Sequence, residues 1–191
     1  MFIPALRCAL SILFFRAGPA DMPFDPGPTL TRRCVAFALL IYAGFCAVLL
    51  PALAAILASA LTVLGLGLVT RAMLSLRKLE NRFQQTFNAL LLTNGLLTLP
   101  MIPLQMQIAP LLLKLHDDPQ LAQHLENVQM PLMPMLLMSL LGFWQFAACS
   151  RVYGQATDSG AFSGALLTVI CFFGMTLFVM FASPLITLLG G

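Results

Sequence analysis

Four methionines, Met130, Met133, Met135 and Met138, fall within nine residues, with Met101 and Met106 upstream and His116 and His124 between the two groups. Thioethers are soft ligands that favour Cu(I), so MxxM and MxM spacing opens a copper reading. The other reading is packing. Unbranched Met fills irregular gaps, and Pro100, Pro103, Pro131 and Pro134 would break the neighbouring helices and leave such gaps. A helix also turns Met133 and Met135 to different sides. The chain is therefore assigned no metal and no cofactor, with copper at the methionines left open.

The second candidate group is made of amides. At 3.6 residues per turn Gln84, Asn88, Asn94 and Thr98 fall within an arc of roughly 120°, with Phe87, Leu91 and Gly95 sharing it. Facing lipid, such amides would leave polar groups unpaired, so this face should look into a helix bundle. Ser139 and Gln145 offer partners on a later apolar segment. With Arg82 and Arg151 level on antiparallel helices, Asn88 meets Gln145 and Asn94 meets Ser139. The expected site is a polar interhelical seam of Gln84, Asn88, Asn94, Ser139 and Gln145, each contact contributing ~0.6 kcal/mol and at most ~2.

Carboxylates that could serve acid–base chemistry are Asp21, Asp25, Glu80 and Asp158, scattered along the chain and set beside turn-forming residues. Cys8, Cys34, Cys46, Cys149 and Cys171 form no CxxC pair and lie in or beside apolar runs, as small hydrophobes do. No P-loop, HExxH or GxSxG occurs, and no catalytic residue is assigned.

The elements that must hold these residues are membrane helices. Of 191 residues 60% are hydrophobic and 9% charged, against about 25% charged in soluble domains. Cys34 to Thr70 contains no Asp, Glu, Lys, Arg, His, Asn or Gln. As one helix it would reach roughly 55 Å, far beyond the ~30 Å hydrocarbon core, so it should cross, turn near Leu50-Pro51 and return. Arg32 and Arg33 precede it, and Arg71, Arg77, Lys78 and Arg82 follow. The positive-inside bias places both clusters in the cytoplasm. Of the ten Lys and Arg residues only Lys114 falls outside, so the net charge of +3 is topogenic and implies no nucleic acid.

The expected fold is all-α: a polytopic bundle of five transmembrane helices at about 33–50, 52–70, 83–102, 131–150 and 161–182. An N-terminal interfacial helix over 1–16 and a short outer-loop helix beginning at Asp117 or Asp118 complete it. A cleaved signal peptide ending at 17–20 is the alternative for the first segment. Residues 1–32, including a Pro-rich connector at 17–30, form one unit and 33–191 the bundle. Ala54-x-x-x-Ala58, Ala55-x-x-x-Ser59 and Gly160-x-x-x-Gly164 give small faces for close helix contact. Over 71–82, Arg71, Lys78 and Arg82 share a helical stripe suited to anionic headgroups.

The layout resembles the Yip family of five-span membrane proteins, with Gly18-Pro19-Ala20-Asp21-Met22-Pro23 as the connector ahead of the bundle. That resemblance implies a small integral membrane protein acting through membrane partners or lipid organisation, and it carries no site residues. The expectation is a bacterial inner-membrane protein with a cytoplasmic N-terminus and an outer C-terminus. Its role would be a non-enzymatic accessory or scaffold that binds lipids, a membrane-protein partner or a second copy of itself. A small-solute permease lined by Asn88, Asn94 and Gln145 is the alternative, and a membrane-embedded lipid enzyme a third.

Overall fold

A computed structural model describes residues 1–117 and 131–190. Within them helices are the only regular elements. The long helices are α1 (Phe2–Leu13), α2 (Thr29–Cys46), α3 (Ala52–Leu76), α4 (Phe83–Asp117), α5 (Leu132–Ala156) and α6 (Ala161–Gly190). Five of them, α2 to α6, are long and apolar enough to cross a membrane. The expected outer-loop helix lies outside the described residues.

Helix α4 is the centre. Every residue from Thr86 to Gly95 is buried, on all faces of the helix. Helices α2, α3 and α5 flank it, and α1 and the connector close the remaining side. Helix α1 buries Ala5, Ala9, Ile12 and Leu13, spaced as one helical face, while Arg7 and Arg16 stay exposed. Its far end is tied to α5, where Trp144 Nε1–H donates to the Leu13 carbonyl at 2.9 Å and Phe14 meets the indole edge-on at 5.9 Å.

Several boundaries differ from the expected ones, each for a local reason. Helix α2 starts four residues early because Asp25 caps it. Its carboxylate accepts from the Thr29 hydroxyl and from the N–H groups of Gly27 and Leu30 at 3.0 Å each. The helix ends at Cys46, and Pro51 stands just before α3 with extended ψ, 151°. Helix α4 does not stop near residue 102 but runs through Pro100, Pro103 and Pro110 to Asp117. The three prolines share one arc of the helix and all are exposed. The rings therefore disturb only the outward side of the backbone, where a helix can curve to accommodate them.

Helix α3 also runs on, to Leu76, and stops in a Schellman turn. Leu79 N–H donates to the Leu74 carbonyl at 2.9 Å while Lys78 takes φ 59°. Arg71, Lys78 and Arg82 consequently do not lie along one helical stripe. Arg71 sits on α3, Lys78 at the left-handed turn and Arg82 in the 3-10 turn Glu80–Arg82.

Small residues set the closest crossings. Ala54, Ala55 and Ser59 are buried on α3. Gly164 of α6 lies against α5 so tightly that a Cβ there would sit 2.2 Å from the Ser150 carbonyl and 2.9 Å from Gly154 Cα, whereas Gly160 has no such neighbour. Gly142, on the outer side of α5, also faces open space.

Gly164→Val should force α5 and α6 apart and cost about 1–3 kcal/mol. Gly142→Ala should be neutral or stabilising by up to ~1 kcal/mol, because Ala is the better helix former. Thermal unfolding of the two purified variants in one detergent checks the contrast. Equal midpoints would mean the crossing is not closely packed.

Candidate functional site

The register of α4 against α5 is fixed at one end by Arg82. Its Nη1 donates to the Ala156 carbonyl at 3.2 Å and lies 2.7 Å from Asp158 Oδ2. Arg82 is thus level with residues 156–158 and not with Arg151, so α4 sits six residues, about 9 Å, from the expected alignment. Along the interface, Asn94 takes the place expected for Asn88. Its Oδ1 accepts from Gln145 Nε2 at 3.2 Å and from the Cys149 thiol at 3.2 Å.

The expected seam residues therefore separate. Asn94 and Gln145 meet. Ser139 is exposed and returns its hydroxyl to the Met135 carbonyl of its own helix at 2.9 Å. Gln84 instead binds the connector, donating to the carbonyls of Asp25 at 2.9 Å and Gly27 at 3.3 Å. Asn88 is buried, and its Oδ1 has no partner among the described residues.

Residues outside the expected seam complete the cluster. The Tyr153 hydroxyl lies 2.9 Å from Thr70 Oγ1 and 3.0 Å from Cys171 Sγ, linking α3, α5 and α6. A signal for it exists in the sequence: Gln145, Cys149 and Tyr153 recur every fourth residue, so they form one stripe on α5. Beside the stripe is a cavity of about 150 Å³ to which α2, α3, α4, α5 and α6 all contribute, through Tyr42, Thr62, Asn94, Gln145 and Thr168 among others. Among the described residues no charged side chain lines it. A void of this size holds a few waters or a molecule on the scale of benzene, so the cavity suits a small neutral guest that hydrogen-bonds to amide, hydroxyl or thiol.

The other candidates serve their own turns. Asp21 Oδ2 accepts from the Gly18 N–H at 2.8 Å, Asp25 caps α2, Asp158 pairs with Arg82 and Glu80 is exposed. Met133 and Met135 are both exposed near the start of α5. Met130 and His124 lie outside the described residues, and among those described no three His, Cys, Asp or Glu side chains gather as a metal site. Comparison with protein-family models, curated proteins and solved structures finds no match to the chain.

The Thr29 hydroxyl, then the Gly27 and Leu30 N–H groups, hold the Asp25 carboxyl below its usual range, and Arg82 does the same for Asp158. A lowered native pKa adds stability that is complete above the unfolded value, about 3.9. That stability is lost as pH falls through the lower native value. Unfolding midpoints should hold steady from pH 7 to about 5 and drop below about 4. Asp25→Asn should flatten that acid limb, which a pH series of melts in detergent reads directly.

A double-mutant cycle tests the seam itself. Asn94→Leu and Gln145→Leu should leave a folded protein and show a coupling of about 0.6 kcal/mol, at most ~2. The pair Asn88→Leu and Gln145→Leu should show none.

Proposed function

We propose that the chain is a multi-pass protein of a bacterial cytoplasmic membrane, with its N-terminus inside and its C-terminus outside. Its role is that of a non-enzymatic accessory or scaffold that binds membrane partners or lipids. Exposed Arg33, Arg71 and Arg151 support a common inner level. From Arg71 back to Ala52, and from Arg151 back to Leu132, the helices offer about 20 residues each, the length of one crossing. Helix α1, with Arg7 and Arg16 exposed, fits the same inner interface. The segment from Leu76 to Gln84 and the end of α5 project beyond that level.

One observation carries the role. Most of the polar cluster where the helices meet is internally bonded, Asn94 with Gln145 and Cys149, and Tyr153 with Thr70 and Cys171, while Asn88 Oδ1 and Gln105 Oε1 have no partner among the described residues. The bonded groups act as interhelical glue that fixes one packing. Apolar side chains such as Leu140, Phe143, Ile170 and Phe173 are left on the outside of α5 and α6, to meet lipid or another helix. The layout shared with five-span Yip proteins points the same way. A second reading, a permease for a small neutral solute, draws on the cavity at Asn94 and Gln145.

Alkaline phosphatase fused after Leu50 should be active, and fusions after Lys78 or Asp158 should be inactive; activity after Lys78 would overturn the topology. In proteoliposomes, uptake of small neutral solutes such as glycerol or urea should match that of empty vesicles. Uptake that disappears in Asn94→Leu would favour the permease.

A further inference from the structure

We propose that the groove between α5 and α6 beside Arg151 holds one anionic phospholipid, its phosphate at Arg151 and an acyl chain along the trough past Gly142. The inference rests on the membrane reading above and adds to it a defined lipid site.

Two adjoining hollows share Phe146. The first, about 460 Å³, is walled by Phe15 from the end of α1 and carries Ser150, Arg151, Gln155 and Ser159. The second, about 590 Å³, continues away from Arg151 and is lined by Ser139, Gly142, Phe143, Phe146 and Phe172. A hollow that carries one cation and three polar side chains among apolar ones opens onto a more apolar trough, an arrangement that matches a lipid standing with its headgroup at the inner interface. Along α5 the two hollows extend from Gln155 to Ser139, roughly 24 Å of helix. That is enough for a headgroup and the part of an acyl chain lying in one leaflet of a ~30 Å core.

The charge fits an anion. Among the described residues the one ion pair is Arg82 with Asp158, which leaves the exposed Arg151 guanidinium without an acidic partner. It rests 5.7 Å from the centroid of the Phe15 ring. Phe15 holds that position at φ 59°, a conformation costly to a residue with a Cβ. Trp144 secures it by binding the carbonyl two residues earlier. The Ser150 hydroxyl and the Gln155 amide line the same hollow, while Ser159 donates its hydroxyl to Thr157 Oγ1 at 2.7 Å, and the first turn of α6 adds its positive end at Ala161. The trough is open at Gly142, where a Cβ would meet nothing within 4 Å.

The test uses the full chain in a mild detergent, titrated with phosphatidylglycerol or with phosphatidylcholine of the same chains and read by native mass spectrometry. The wild-type protein should retain one phosphatidylglycerol at least tenfold more tightly than phosphatidylcholine. Arg151→Gln, at an exposed position, should reduce it to the phosphatidylcholine level. Gly142→Leu should fill the trough and lose the lipid while the chain stays folded, and Arg77→Gln, an exposed arginine at the same end, should change nothing. Retention unchanged in Arg151→Gln, or an equal loss in Arg77→Gln, overturns the site. So does glycerophosphate competing as well as the intact lipid. Failure of the underlying reading looks different: alkaline carbonate would strip the chain from isolated membranes.

Discussion

Enclosing one helix governs the architecture. Between Gln84 and Thr98, α4 carries amides and hydroxyls that oil would not solvate, and an unpaired buried polar group costs on the order of 1–3 kcal/mol. Its threonines return their hydroxyls to carbonyls four residues back, Thr86 to Arg82 just ahead of the helix, Thr93 to Ala89 and Thr98 to Asn94 within it. The amides cannot do so as readily and reach outward: Gln84 to the connector carbonyls, Gln85 to the Met22 carbonyl at 3.1 Å, Asn94 to α5. These bonds hold the connector and α5 against the same helix, and a further bond from Gln84 Nε2 to Thr31 Oγ1 at 3.3 Å adds the start of α2.

The second layer depends on the first. Once Arg82 engages Ala156 and Asp158, α5 is set in depth, and Asn94 falls opposite Gln145. Largely exposed, the ion pair is weak as an energy and useful as a stop. The placement of α5 then brings Gly154 against Gly164 and Tyr153 between Thr70 and Cys171, so α6 is aligned through α5. The cavity is left where five helices converge but their side chains do not quite fill the space. Its position follows from the register and not from any single lining residue.

What the sequence made legible followed periodicity and composition. The five long apolar helices, the turn ahead of Pro51 and the small residues on α3 are readable from hydropathy and spacing. Helix ends were not, because the usual marker is missing. The left-handed positions after α1, α3 and α5 are held by Phe15, Lys78 and Asp158, none of them glycine. Prolines misled in the opposite sense, since Pro100 and Pro103 read as breaks while the outward face they share with Pro110 lets α4 continue. The seam was half legible: an amide face on α4 is visible in the spacing, but its partner depends on where Arg82 docks. Aligning two arginines by charge ignored that Asp158 is the better neighbour for one of them.

The distribution of charge then separates the two hollows of the molecule. The interior cavity is small, no charged side chain among the described residues lines it, and Asn94 Oδ1 already accepts two bonds. An ion entering it would give up its hydration for neutral dipoles alone, a loss that such dipoles do not offset without convergent geometry. At the Arg151 groove the balance reverses. Arg151 is exposed and has no carboxylate partner among the described residues, so an anion there would gain attraction without surrendering all its water. The cavity at the centre of the bundle and the exposed cation at its rim are thus kept apart, because the helix bearing Gln145 on its inner face carries Arg151 on its outer one.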